Sequence, residues 1–202
     1  LLFVADTSST RVTVYDVANI TNGENAANVL GQTNFTNKTG GTTASTFALL
    51  GPSAVDYDPT NNRLFVADRY NNRVLVFDTA TISDGESAAN VLGQTSFTVK
   101  VAAMTQSGMS APYGVAFDAL NNRLFVAEYN NRRILTFDTA SITDAENATY
   151  VLGAANFTTA GGYTPATQNM VGLATGIAYV TSSRQLFAAD FYNNRIMVFD
   201  AG

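Results

Sequence analysis

One unit of about sixty residues recurs along this chain, and the recurrence restricts the fold more than any other feature. Leu2-Phe3-Val4-Ala5-Asp6 returns as Leu64-Phe65-Val66-Ala67-Asp68, Leu124-Phe125-Val126-Ala127-Glu128 and Leu186-Phe187-Ala188-Ala189-Asp190. Arg11, Arg73, Arg133 and Arg195 keep the same intervals as the acids at 6, 68, 128 and 190. A third landmark, Val-Leu-Gly at 29–31, 91–93 and 151–153, precedes Phe35, Phe97 and Phe157 in step with the other two. Landmarks that recur in register mean copied structural units stacked on one another, as in a solenoid or a propeller.

A single unit reads as four short strands. Ser53–Asp58 ends at Pro59-Thr60-Asn61-Asn62, a cluster of residues that preset φ or tolerate the left-handed region. Leu64–Ala67 is a continuous apolar run closed by the polar turn Asp68–Asn72, and Arg73–Asp78 is rich in β-branched and aromatic residues. After a longer connection, Ala89–Gln94 supplies a weaker fourth strand. In that connection Thr21, Ser83 and Thr143 stand three residues before Glu24, Glu86 and Glu146, the spacing of a capping box, which predicts one helical turn. Asp84-Gly85-Glu86 lacks the alternating oxygen ligands of a calcium loop. Repeated four-stranded units predict an all-β fold, a β-propeller of antiparallel blades.

The strand, the polar turn and the following Arg-Val/Ile-x-Val-Phe-Asp resemble the NHL repeat. Asp-x-x-Asn-x-Arg carries the likeness at Asp68/Asn71/Arg73 and Asp190/Asn193/Arg195, with Glu128/Asn131/Arg133 close behind and Ser9 departing in the first copy. The resemblance covers essentially the whole chain and implies a propeller, often of six blades. The Val-Leu-Gly-Gln-Thr-x-Phe-Thr extension is similar to the long-repeat variety of bacterial surface and secreted proteins, which implies an extracellular or cell-surface location.

Strand counting places a partial blade at 1–35, full blades at 51–97 and 111–157, and a partial blade at 174–202, about three and a half blades in all. Two apolar blade faces are then left open, which soluble monomers rarely tolerate. Both ends fall inside blades, so the chain reads as an excerpt of a longer protein; the alternative is a half-ring that closes on another copy.

Several chemistries are excluded outright. The chain has no histidine and no cysteine, which removes Ser-His-Asp triads, cysteine nucleophiles and zinc sites built on those residues. The amidating-lyase activity found among NHL proteins uses histidine-bound metal and does not carry over. The glycines at 40 and 41 have neither the lysine nor the strand–helix setting of a phosphate loop. With 11 basic against 16 acidic residues, the chain lacks the dense positive charge of an RNA-binding surface, so no nucleic-acid partner is expected. No apolar run is long enough to cross a membrane as a helix. Asn-x-Ser/Thr sequons at Asn19, Asn34, Asn37, Asn147 and Asn156 occur at the frequency that abundant Asn, Ser and Thr produce by chance.

Residues shared by every copy hold a repeat fold, so the departures are the functional candidates. Asp56 lies in the innermost strand where other copies have Ala116 and Ala178, a lone channel carboxylate and candidate metal ligand. Calcium is accordingly the one cofactor left open; otherwise none is expected. The strand 2–strand 3 turns offer Arg69, Tyr70, Tyr129, Arg132, Phe191 and Tyr192, with Tyr70, Tyr129 and Tyr192 expected as an arc on the face that also carries the blade-linking segments. Exposed aromatics with arginine are what interfaces favour. The sequence therefore points to a non-enzymatic module binding a protein or glycan through one propeller face. The alternatives are a calcium-dependent hydrolase or lactonase using channel carboxylates, and a self-assembling structural protein.

Overall fold

The computed structural model describes residues 1–162 and 167–202. Among these residues fourteen strands form four antiparallel sheets, each a meander of neighbours in sequence. The first contains β1 (Leu2–Asp6), β2 (Arg11–Tyr15) and β3 (Asn28–Leu30). The second contains β4 (Pro52–Asp58), β5 (Arg63–Asp68), β6 (Arg73–Asp78) and β7 (Asn90–Leu92). The third repeats that pattern with β8 (Pro112–Asp118), β9 (Arg123–Glu128), β10 (Arg133–Asp138) and β11 (Tyr150–Leu152). The fourth comprises β12 (Ala174–Val180), β13 (Gln185–Asp190) and β14 (Arg195–Asp200). These are blades of an incomplete propeller, with β4, β8 and β12 innermost.

The two-residue period of a strand divides each blade between two seams. Leu64, Val66, Leu75 and Phe77 pack towards the first blade with Val12, Val14 and Leu30. Phe65, Ala67, Val74 and Val76 pack towards the third with Val115, Phe117, Leu124 and Leu135. A third seam joins Phe125, Ala127 and Ile134 to Leu186, Ala188 and Met197. Each fully buried side chain of this size contributes about 2 kcal/mol. An aromatic pair crosses every seam near the axis: Phe3 with Tyr57, Phe65 with Phe117, and Phe125 with Tyr179, at centroid separations of 5.3, 5.5 and 5.7 Å. The outward faces of the terminal blades are open. Ile196 and Val198 are 62% and 49% exposed, whereas Val74 and Val76, at the same repeat positions, are 0% and 1% exposed.

The repeated polar residues clamp the loops. Asp68 Oδ2 accepts hydrogen bonds from Asn71 Nδ2 and Arg73 Nε, each at 2.8 Å, and Oδ1 accepts the Ala48 N–H at 2.9 Å. Arg73, fully buried, donates onward to the carbonyls of Thr43, Thr46 and Phe97. Arg133 does the same to Thr105, Gly108 and Phe157. One guanidinium thus ties both blade-linking segments to its own blade. A second clamp with the same Asp-x-x-Asn-x-Arg spacing sits at the opposite end. Asp58 binds Asn61 and Arg63, and Arg63 reaches the Thr139 carbonyl of the next blade at 2.6 Å. Asp118, Asn121 and Arg123 repeat it, with Arg123 reaching the Ala201 carbonyl. The fourth blade carries Val180, Ser183 and Gln185 at those positions and lacks this clamp.

The Val-Leu-Gly-Gln extension has a comparable role. Gln94 Nε2 donates to the Asn72 and Val101 carbonyls, and Gly93 adopts φ +88°. A Cβ there would stand 2.4 Å from Met109 Cγ, so glycine is required by both conformation and space.

The helical turn expected at the Thr/Ser-x-x-Glu spacing is corrected to a tight turn. Glu24, Glu86 and Glu146 do accept the N–H of Thr21, Ser83 and Thr143, at 3.1, 2.8 and 2.9 Å, but no helix follows. The chain instead bends so that Asp84 accepts the Val29 N–H of the preceding blade and Asp144 accepts that of Val91. The outermost strand of one blade needs partners for its free edge, and this carboxylate supplies one.

Burial also sets a pH dependence. Burial works against the Asp58, Asp118 and Asp190 carboxylates, but hydrogen bonds from asparagine and arginine outweigh it and hold all three below the ordinary value. For Glu128 burial wins, despite Arg133, and pushes the group up to about 7 from 4.5. The lowered carboxylates contribute stability that is present above about pH 3.8 and lost as pH falls through their folded values. Glu128 acts with the opposite sign. Its contribution is full below about pH 4.5 and is lost as pH rises towards 7, because the unfolded chain gives up that proton first. Urea midpoints are expected to peak in the weakly acidic range, and Glu128→Gln is expected to flatten the decline between pH 4.5 and 7.

Candidate functional site

Each Asp/Glu that ends the second strand of a blade is followed by a tight turn, and three of these turns are single 3-10 turns, at Thr7–Ser9, Arg69–Asn71 and Phe191–Asn193. The chain leaves them through a left-handed residue, Asn72 at φ 54° and Asn194 at φ 50°, a conformation asparagine tolerates better than most. Arg132 takes the same conformation at φ 54°. This geometry fixes which turn residue points where. The first position, occupied by Arg69, Tyr129 and Phe191, borders the mouth of the central channel; the second, Tyr70 and Tyr192, stands 51% and 58% exposed.

The arc expected from Tyr70, Tyr129 and Tyr192 is therefore not one register of equivalent residues. What the fold assembles is a cluster around Arg69. Its guanidinium carbon lies 5.0 Å from the Tyr70 ring centroid, 4.6 Å from Tyr113 and 4.8 Å from Tyr129. Tyr113 and Tyr129 stack on each other at 5.9 Å. Arg69 Nε is buried and has no hydrogen-bond partner among the described residues. Arg69, Tyr113 and Tyr129 line, with Thr175 and Phe191, a hollow of about 250 Å³ at the seam of the second, third and fourth blades. Tyr70 also borders a neighbouring depression with Asn71 and Lys100. Tyr192 and Arg132 lie on the same turns but do not line the hollow.

Tyr113 escaped the sequence reading. Its signal was present, since it stands at the start of an innermost strand where other copies have Ser53 and Thr175. Ser53 shows the alternative use of that position, donating to the Tyr113 carbonyl of the next blade at 2.9 Å.

Asp56 sits in the innermost strand β4 and bridges blades. One carboxylate oxygen accepts the Tyr57 N–H at 2.8 Å and the other the Phe117 N–H at 2.6 Å. Burial raises its pKa, and those two donors partly oppose the rise. Among the described residues no three Asp or Glu side chains gather to hold a metal ion.

Sorting charges by strand end shows a segregation that net charge conceals. The face with the 3-10 turns and blade-linking segments carries eight of the eleven basic residues: Arg11, Lys38, Arg69, Arg73, Lys100, Arg132, Arg133 and Arg195. Only four acids lie there, Asp6, Asp68, Glu128 and Asp190, and each is ion-paired with the arginine five residues on. The opposite face holds eleven of the sixteen acids, including Asp84, Glu86, Asp144 and Glu146, against Arg63, Arg123 and Arg184. The turn-bearing face is thus electropositive on an acidic protein.

Comparison with known proteins agrees with the repeat. The NHL repeat model matches residues 49–77. NHL repeat-containing protein 2 of Gallus gallus is 29% identical over 92 residues, which is 43% of this chain and 12% of that protein. Together they support an NHL-repeat family for this chain, which spans only that small share of the relative's length. Among solved structures, the WD40 β-propeller domain of Doa1 superposes with a TM-score of 0.48 at 11% identity, covering 74% of this chain and 37% of that one. Saccharomyces cerevisiae Sqt1 gives 0.48 at 12% identity, covering 73% and 32%. No helix among the described residues is long and apolar enough to cross a membrane.

Proposed function

We propose that this chain is a non-enzymatic recognition module of a bacterial surface or secreted protein, which binds a protein segment through the electropositive, tyrosine-bearing face. The observation that carries this reading is the Arg69–Tyr70–Tyr113–Tyr129 cluster with Phe191 and Tyr192 exposed beside it. Large, stiff aromatic side chains contribute contact area at low entropic cost, and arginine and tyrosine dominate interface hot spots. The scaffold beneath them is held by buried ion pairs and apolar seams, so the face is presented without an ordering cost to be met on binding. A glycan ligand would use the same rings for stacking, but the excess of positive charge favours a protein segment that brings negative charge.

The test is selection of a random peptide library against the chain. Peptides are expected to be enriched at micromolar affinity, and Phe191→Ser with Tyr192→Ser is expected to weaken them at least tenfold while thermal unfolding stays unchanged. Enrichment that ignores those substitutions, or no enrichment beside a positive glycan array, would remove the protein-segment reading.

A further inference from the structure

We infer that the hollow around Arg69 is a carboxylate-binding site, which seats an Asp or Glu side chain of an acidic protein segment whose neighbouring apolar groups rest on Phe191 and Tyr70. This rests on the recognition face proposed above and names the group that anchors its partner.

Arg69 differs from every other arginine at the blade ends of this face that the repeat explains. Arg11, Arg73, Arg133 and Arg195 each face a carboxylate of their own blade, and Arg73 and Arg133 also exhaust their remaining donors on loop carbonyls. Arg69 has no acid within its own turn, and three rings hold its guanidinium, which leaves a planar fork of donors at the hollow. Rings satisfy the charge of a guanidinium but not its N–H groups. The Nε is closed off beneath the rings, so it is the outer end of the guanidinium that borders the hollow. The partner that complements the charge and the paired N–H groups of that outer end is a carboxylate, which can accept two parallel hydrogen bonds from it.

The size and the surroundings select the ligand further. A hollow of about 250 Å³ admits one side-chain head group and not an extended ligand. Thr175 lines one wall and Phe191, two-thirds exposed, another, while Tyr70, half exposed, stands beside Arg69 just outside it. That is an acceptor pocket with an apolar rim. A nucleic-acid strand needs a row of cations spaced along its phosphates, whereas four of the eight basic residues of this face are consumed by internal ion pairs. The segregation of charge adds direction. An acidic segment approaching this acidic protein is repelled by the far face and drawn to the near one.

The experiment uses the chain labelled with nitrogen-15 and follows the arginine Nε–Hε resonances, that of Arg69 being assigned by its loss in Arg69→Lys. The probes are acetyl-Phe-Glu-Phe-amide, the same peptide with Gln for Glu, inorganic phosphate, and a uridine decanucleotide. The Glu peptide is expected to move the Arg69 resonance and to bind at least tenfold more tightly than the Gln peptide. Arg69→Gln is expected to erase that preference with the thermal midpoint within a degree or two of the parent. Equal binding of the two peptides, a preference that survives Arg69→Gln, or a larger response to phosphate or the decanucleotide would each overturn the assignment. The outcomes also separate this site from the broader reading. Library peptides that lack acids yet depend on Phe191 and Tyr192 leave the recognition face standing and remove the carboxylate anchor. A Glu-specific response at Arg69 without library enrichment does the reverse.

Discussion

Replacing Arg73 with alanine is expected to lower stability by about 3–5 kcal/mol, the loss typical when one partner of a buried ion pair is removed. Both side chains of the Arg73–Asp68 pair are fully buried, so Asp68 would keep its desolvation and lose its cation. The carbonyls of Thr43 and Thr46 would lose their donor in the same step. Arg11→Ala provides the internal control. It occupies the same repeat position, but its pair with Asp6 is 18% and 30% exposed, and among the described residues its hydrogen bonds go to Asp6 and Phe35. Water can take over there, and about 1 kcal/mol or less is expected. Urea unfolding of both variants checks the contrast, and equal losses would show that the clamp is not what holds the blade-linking segments.

That contrast marks what a repeated sequence makes legible. Recurrence reveals which positions are structural, and Asp68, Asn71 and Arg73 could be recognised as one set from spacing alone. It does not reveal what lies across a seam, because seam partners are about sixty residues apart in sequence. Asp84 lies between the Ser83 and Glu86 of a local capping-box spacing that gives it no role, yet it serves Val29 in the blade before it. Tyr113 stands on an innermost strand with nothing in the repeat to single it out as a turn residue, yet it completes the cluster around Arg69. Tyr70, Tyr129 and Tyr192 looked alike as turn tyrosines, but a one-residue difference in turn position sends Tyr129 to the channel mouth and the other two outward. Charge was the opposite case. Strand polarity follows from the repeat, so the electropositive face is encoded in the order of the charges, although the net charge of −5 conceals it.

The largest effect on the candidate site is expected from a residue that never touches it. Phe65 is fully buried in the seam between the second and third blades, where its ring meets Phe117 at 5.5 Å. Removing such a ring from a packed core costs about 3–5 kcal/mol, part of it from the cavity left behind. In a stack of repeats stability is shared between intrinsic blade terms and the seams between neighbours, so Phe65→Ala weakens one seam selectively. Arg69 belongs to the second blade and Tyr113 and Tyr129 to the third, so the cluster is built across that seam. Loosening it is expected to separate Arg69 from its rings before the chain unfolds, seen as loss of near-ultraviolet tyrosine dichroism at urea concentrations where the far-ultraviolet sheet signal persists. Phe199→Ala, on the half-exposed terminal blade, is expected to cost less and to leave the tyrosine signal in place. If both signals of Phe65→Ala fall together, the blades are coupled through more than their shared seams, and the Arg69 cluster is as rigid as the fold itself.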